Sequence, residues 1–483
     1  MRNVEDIIKN VDVLELLGEK KELEGKICFD SRNVSHGDMF VAVPGTRVDG
    51  HDYIPVAITS GASFIVCERF PAERYSDICY ILVRDAHESL GLIASAYYDH
   101  PSTLLKIVGV TGTNGKTTIA SLLYRMCTSM GYSCGLISTI NVMFNDVSRN
   151  ASHTTPDPVQ IQSTLSDMVM GGCEYVFMEV SSHAVDQKRI AGIQFVGGIF
   201  TNLTHDHLDY HKDFSSYRDA KKKYFDSLGP EAFALVNKDD RNGMIMLQNT
   251  RAKKATYSLK SASEFKARLM ELHLEGNLLD IEGEKIWIRL PGRFNAYNVL
   301  AVYAAAILLG LKKEEVLTSL SNMVSVEGRF EIIRAADGPT AIVDYAHTPD
   351  ALENVLKTIR EIRQGDRIIC VVGAGGNRDR SKRPEMARIA AGLSDRVILT
   401  SDNPRDEDAD KIIADMKEGL DIILSAKVMA ITNREEAIRT ACAFAEKEDV
   451  ILVAGKGHET YQEIRGTRHH FDDREILRKF LNI

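Results

Sequence analysis

The stretch IVGVTGTNGKTT, residues 107–118, runs an apolar segment into a glycine-rich turn ending in GKTT. Gly112 and Gly115, with Thr113 and Asn114 between them, let backbone N–H groups close around a phosphate. A helix starting near Thr117 adds its favourable N-terminal dipole. Lys116 supplies a positive charge for β- and γ-phosphates, Thr117 a hydroxyl suited to magnesium, and Thr118 follows on the same turn. The strict spacing of such loops puts glycine at position 110, where this chain has Val110, so the loop is a variant. A ligand-free glycine turn is the plainer alternative, and the GKTT between strand-like and helical sequence favours a nucleoside triphosphate. That does not decide the reaction, because kinases, switches, motors and ligases all use phosphate loops.

Acids, histidines and one lysine add to this. MEVSSHAVDQKR (178–189) follows an apolar run, so Glu179 falls at a strand end where a carboxylate can hold magnesium. TNLTHDHLDYH (201–211) gathers three histidines and two aspartates between His205 and His211. His207 is a candidate ligand for a second metal ion; surface loop residues are the alternative. On a 3.6-residue helix through FSSYRDAKKKYFDSLG (214–229), Tyr217, Ala220, Tyr224 and Leu228 share a face with Lys221. A lysine there is costly unless paired or neutralised, although its head can also reach out to water. In VILTSDNPRDED (397–408), Val397, Ile398 and Leu399 call for burial, Asn403 and Pro404 for a turn, and Arg405 stands at the rim. A guanidinium at such a place can take a carboxylate through two parallel bonds.

These residues must be positioned by something, and the chain supplies strands. KIVGVTG from Lys106, YVFMEVSS from Tyr175, FVGGIFTNL from Phe195, TAIVDYAHTP from Thr340, RIICVVGAGG from Arg367, RVILTSDNPR from Arg396 and DVILVAGKGHE from Asp449 alternate with helical sequence. That alternation predicts an α/β protein with parallel sheets. Each run enters polar, Gly-rich or His-bearing sequence at its carboxyl end, where open α/β sheets bind ligands. With 483 residues the chain exceeds one hydrophobic core, and boundaries are expected near residue 100 and near 326–331. A net charge of -9 argues against a nucleic-acid partner. The N-terminus shows no secretory signal, the apolar run 299–311 is too short to span a bilayer, and eight scattered cysteines read as reduced thiols. A cytoplasmic protein without a membrane span is expected, working as a monomer.

Twelve motifs fall in one order over nearly the whole length: DSRNVSHGDMFVAVPGTRVDGHDYI (30–54), GVTGTNGKTT (109–118), TTPDP (154–158), EVSSHA (179–184), NLTHDHLDYH (202–211), YRDAK (217–221), GRFNAYN (292–298), GRFE (328–331), DYAHTPDAL (344–352), GNRDRSKRPEM (376–386), DNPR (402–405) and GKGHE (455–459). With them the sequence resembles the Mur ligases, ATP-dependent amide-bond-forming enzymes of peptidoglycan synthesis. The resemblance implies three α/β domains. Residues 1–99 would bind the UDP end of the substrate, 100–328 would form a central phosphate-loop sheet for ATP, and 329–483 a Rossmann-like unit for the amino acid. It implies a loop from Gly112 to Thr118, with Thr117 and Glu179 on magnesium, His207 near a second ion, and Lys221 carbamylated so that its charge turns negative. Lys116, Lys221, His207, His183 and His347 would be catalytic. Asn295 and Asn298 would approach the base, and Arg329 and Asp344 would contact ATP across a hinge.

The resemblance further implies that Ser31, Thr46, Arg47 and Val48 hold uridine, and that Thr154, Thr155, Ser181, Gln187 and Arg189 hold the muramoyl dipeptide. Within the family, the DSR…DG opening and DNPR look like members that add meso-diaminopimelate to UDP-N-acetylmuramoyl-L-alanyl-D-glutamate. Asp402, Asn403, Pro404 and Arg405, with Arg383, the Gly455 carbonyl and Glu459, would then clamp the distal carboxylate and ammonium. Lysine lacks that carboxylate, and a site that leaves a buried polar group unpaired rejects an analogue by up to roughly 10⁴-fold. A lysine-adding or other Mur ligase, and a folylpolyglutamate synthase, are the near alternatives. The non-enzymatic one is a nucleotide-binding switch, which no coiled coil or basic arm supports.

Overall fold

A computed structural model describes residues 2–483 apart from 46, 47, 152, 205, 207–209, 212, 336, 337 and 364. The expectations placed on Thr46, Arg47 and His207 therefore lie outside the described residues.

Short apolar runs build three large sheets, and among the described residues two further sheets have only two strands each. The first has five strands in the order Val13–Leu17, Cys79–Val83, Phe64–Cys67, Met39–Val41, Ile27–Cys28, all parallel except the first pair. Central in the molecule is an eleven-stranded sheet. Its parallel core runs Cys134–Ile137, Tyr175–Glu179, Lys106–Thr111, Gly197–Phe200, Phe233–Asn237, Lys253–Ser258, Phe265–His273, with antiparallel strands added at both edges. The chain leaves Lys106–Thr111 toward one side of this sheet and later returns to its other side. A crevice opens at such a switch point, and the phosphate loop occupies it. The third sheet has six strands, ordered Glu331–Arg334, Thr340–Asp344, Val450–Ala454, Ile368–Val372, Arg396–Leu399, Val428–Ala430, parallel beyond the first pair. Its strand ends Asp344, Val372, Leu399 and Ala454 again lie side by side.

The seven runs read as strands in the sequence are all strands here. Their burial is nearly continuous, as strands covered by helices on both faces require. The apolar run 299–311 lies mostly within the helix Arg293–Leu308, whose residues from Val299 to Ala306 are all buried. It packs on the helix Lys116–Ser129 and on the strands Phe233–Asn237, Lys253–Ser258 and Phe265–His273. That helix is a core element; among the described residues no helix is long and apolar enough to cross a membrane. All eight cysteines are free thiols, seven of them buried.

Candidate active site

The carboxyl ends of the second and third sheets face one cleft of about 1300 Å³. Its floor is the phosphate loop. Gly112 has φ +145°, and a Cβ there would lie 1.9 Å from Thr201 Oγ1; at Gly115, φ +88°, it would lie 2.6 Å from Asn298 Oδ1. Only glycine fits either place, so the backbone itself forms the cradle. The loop is braced from below: Thr113 N donates to Asn202 O at 2.8 Å and Asn114 N to Asn202 Oδ1 at 3.0 Å. The helix Lys116–Ser129 starts at this point, and the N–H groups of a first helical turn have no acceptor within the helix. Lys116 Nζ donates to Gly112 O at 2.9 Å and Thr113 O at 2.8 Å. Burial lowers its pKa, against the pull of Glu179 and Asp206.

Glu179 ends its strand fully buried and accepts from Thr139 N at 2.7 Å and Thr139 Oγ1 at 3.2 Å. Lys221 lies on the buried face of the helix Phe214–Asp226 with Tyr217, Ala220 and Tyr224, and is 1% exposed. The alternative of a head reaching water is thereby excluded. Its Nζ donates to Gly112 O at 2.9 Å, the same carbonyl that Lys116 uses. Burial and the neighbouring Lys116 push the Lys221 pKa well down, with Asp206 opposing them. Among the described residues no group of three His, Cys, Asp or Glu could hold a metal by itself. Magnesium nevertheless fits the donors present, since it is usually held by one or two carboxylates together with substrate phosphates. Glu179 and the Thr117 hydroxyl offer hard oxygen donors along the cleft wall.

The third sheet closes the cleft from the other side. Arg329 Nη2 donates to Thr117 Oγ1 at 3.0 Å, and Arg329 Cζ lies 4.5 Å from the Tyr345 ring centroid. Asn114 Nδ2 donates to Asp350 Oδ2 at 2.8 Å, a second bond between the two sheets' territories. Asp344 accepts from Phe330 N at 2.7 Å; burial raises its pKa to about 6, with Arg329 acting against. His347 donates from Nδ1 to Tyr345 O at 2.8 Å, which leaves Nε2 as the unprotonated nitrogen. Burial and Lys382 lower its pKa to about 4, so the ring is neutral at pH 7. Asn298 lines the cleft, whereas Asn295 sits behind it, bonded to Asn298 and to Pro291 O.

Thr154, Thr155, Ser181, His183 and Arg189 line the adjoining wall. Arg189 donates to Thr155 O at 2.8 Å and to Gln187 Oε1, so Gln187 orients the guanidinium from behind. The His183 ring is 4.2 Å from that of Tyr210. Ser31, buried, and Val48, exposed, belong to the amino-terminal sheet's region and are not part of this wall.

At the far end, Asp402, Asn403, Arg405, Gly455 and Glu459 meet. Asn403 Nδ2 donates to Glu459 Oε2 at 2.8 Å, and Lys456 Nζ reaches both Asn403 Oδ1 and Glu459 Oε2 at 3.1 Å. Arg405, φ +50°, is strapped by its own N–H to Glu463 O at 3.0 Å, and its Nη1 donates to Gly376 O at 2.7 Å. Pro404 shapes the turn without lining the cleft. Arg383 departs from expectation. It is 1% exposed and spent on Glu407 and Asp415, at 2.9 and 2.7 Å, behind the wall. Arg378 of the same GNRDRSKR run lines the cleft instead. The signal was present: Arg383 falls inside the helix Lys382–Leu393, on its packed face, while Arg378 precedes that helix. Asp206, Lys456 and Tyr345 were also missed, although each lies within a quoted motif.

Family models match at residues 26–98 (Mur ligase family, catalytic domain), 110–306 (Mur ligase middle domain) and 328–457 (Mur ligase, glutamate ligase domain). A protein of Parabacteroides distasonis is 55% identical over 99% of this chain and 98% of its own. One of Bacteroides thetaiotaomicron is 53% identical over 99% of both. Both are named UDP-N-acetylmuramoyl-L-alanyl-D-glutamate–2,6-diaminopimelate ligase. A solved structure of a ligase with that name superposes with a TM-score of 0.67 at 32% identity, covering 95% of this chain and 94% of the other. Matched along all three sheets and over nearly its full length, the chain belongs to the Mur ligase family.

Proposed function

We propose that this cleft joins the D-glutamate γ-carboxylate of UDP-N-acetylmuramoyl-L-alanyl-D-glutamate to an amino group of meso-diaminopimelate. The chain is an ATP-dependent ligase of peptidoglycan precursor synthesis. One observation carries the substrate assignment: the phosphate loop and the Arg405–Asn403–Glu459 corner open into the same cleft. In this reading residues 1–99 hold the uridine end, 100–328 ATP, and 329–483 the amino acid.

The γ-carboxylate oxygen attacks the ATP γ-phosphorus, the bond to the ADP oxygen breaks, and an acyl phosphate forms. Lys116 offsets negative charge at the transferred group. The diaminopimelate amine attacks the acyl carbon, phosphate departs with the electron pair of its C–O bond, and the amine proton passes to a base. His347 Nε2, unprotonated and in the cleft, suits that proton; His183 stands on the other wall. Thr117, Glu179 and a carbamylated Lys221 would hold magnesium, which when bound neutralises charge on the phosphates. The lowered pKa of buried Lys221 raises its free-base fraction, and this favours carbamylation because the free base is the form that attacks carbon dioxide. Arg405 and Arg378 suit the distal carboxylate, and Glu459 with Asn403 the distal ammonium. Substrates held on different units must meet, so the Arg329–Thr117 and Asn114–Asp350 bonds are remade as the units close. ATP and a UDP-linked sugar occur together in the cytoplasm, where the reaction would take place.

Phosphate release tests the reading. It should require the UDP-muramoyl dipeptide and diaminopimelate together, and lysine should not replace the latter. Release with either substrate alone, or equally with lysine, refutes it.

A further inference from the structure

Behind the amino-acid corner runs a line of buried charge that ends in it at Glu459 and starts from two residues the chemistry above does not use, Arg434 and Asp473. Asp473, at the start of the helix Asp473–Leu481, is fully buried and takes Arg434 Nε and Nη2 at 2.8 and 2.7 Å. Arg434 Nη2 also donates to Ala454 O at 3.0 Å, the last residue before the GKGHE turn. Two atoms remain: Arg434 Nη1 and Asp402 Oδ2 are both buried without a hydrogen-bond partner among the described residues, and the two side chains attract each other. Asp402 in turn attracts Lys456, which is fully buried and bonded to Asn403 and Glu459. The line thus sets three carboxylates (Asp473, Asp402, Glu459) among two buried cations (Arg434, Lys456), and Arg405 draws on Asp402 from the cleft rim.

Removing one partner of a buried charge pair leaves the other uncompensated, so each member of this line holds its neighbour in place, out to the Glu459 carboxylate that lines the cleft. Building on the ligase reading, we propose that Arg434 is a positioning residue for amino-acid selection. Clamped by Asp473, it balances Asp402, which leaves Lys456 on Asn403 and Glu459 and keeps the Glu459 carboxylate set for the substrate ammonium. Without Arg434, Asp402 draws Lys456 away and the corner loses its shape.

The test replaces the ion pair by apolar groups, Arg434→Met with Asp473→Leu, because deleting both partners spares folding better than deleting one. With each substrate varied in turn, the KM for diaminopimelate should rise about tenfold to a hundredfold, the effect of a small misplacement at a binding group. The KM values for ATP and for the UDP-muramoyl dipeptide should stay within about twofold. Arg434→Lys, which keeps the charge, should return the diaminopimelate KM to within about threefold of wild type. Should the double variant fail to fold, Asp473→Asn, which loosens Arg434 but keeps its shape, decides by the same split between substrates. The proposal falls if the three KM values move together, if none moves, or if Arg434→Lys is as impaired as the double variant. A wild-type enzyme that fails to use diaminopimelate would instead overturn the ligase reading on which this rests.

Discussion

Arg405→Ala separates recognition of the amino acid from everything else in the cleft. In the structure Arg405 is half-buried and one guanidinium nitrogen is committed to Gly376 O at 2.7 Å, which fixes the plane of the fork. The remaining N–H groups are available for a carboxylate. A charge-assisted hydrogen bond contributes about 1.5–3 kcal/mol, so two contribute roughly 3–6 kcal/mol in a dry site. Solvent at the rim screens part of this, which puts the expected loss near about 3 kcal/mol. At about 1.4 kcal/mol per decade that is about a hundredfold in kcat/KM for diaminopimelate. Lysine brings no second carboxylate and loses nothing; it sheds the penalty of leaving the guanidinium unpaired. The ratio of diaminopimelate to lysine use should therefore fall by about a hundredfold or more. Coupled phosphate release at saturating ATP and UDP-muramoyl dipeptide, with the acceptor varied, measures both. The reasoning is refuted if the KM for ATP rises in step, or if the variant still discriminates as the wild type does.

Lys221→Ala should lower turnover by about 10³-fold or more through loss of charge organisation at the phosphates, and short-chain carboxylic acids added to the assay should restore part of it; no rescue at any concentration excludes the carbamate. Gly112→Ala forces a Cβ to 1.9 Å from Thr201 Oγ1 at φ +145°. The strain of about 1–3 kcal/mol should weaken nucleotide binding about tenfold to a hundredfold by calorimetry, and unchanged affinity would show that the loop adapts. Arg383→Met should destabilise the protein by about 2–3 kcal/mol, because Glu407 and Asp415 lose their buried partner near the surface. Arg383 holds the Glu407 pKa at about 2, below the ordinary 4.5. That stabilisation is present above pH 4.5 and is lost as pH falls toward 2, so the gap between variant and wild type should narrow over that window in urea unfolding. An unchanged gap would assign the stability of this corner to packing alone.

Local rules reach a long way in this chain. Glycine spacing, the GKTT turn and the apolar runs identify the phosphate loop and seven strands, because each rests on backbone geometry within a few residues. Helical periodicity alone puts Lys221 among Tyr217, Ala220 and Tyr224, and the structure buries it there. What lay beyond the sequence is which charge meets which. Val450–Ala454, last of its sheet in the chain, inserts between Thr340–Asp344 and Ile368–Val372. That insertion brings Lys456 to Asn403 and the Ala454 carbonyl to Arg434. The cations of GNRDRSKR look alike in one dimension, yet Arg383 turns inward to Glu407 while Arg378 faces the cleft. Periodicity fixes how deep a side chain lies; its partner is chosen by strand order and by where neighbouring strands stop, which are properties of the assembled sheet.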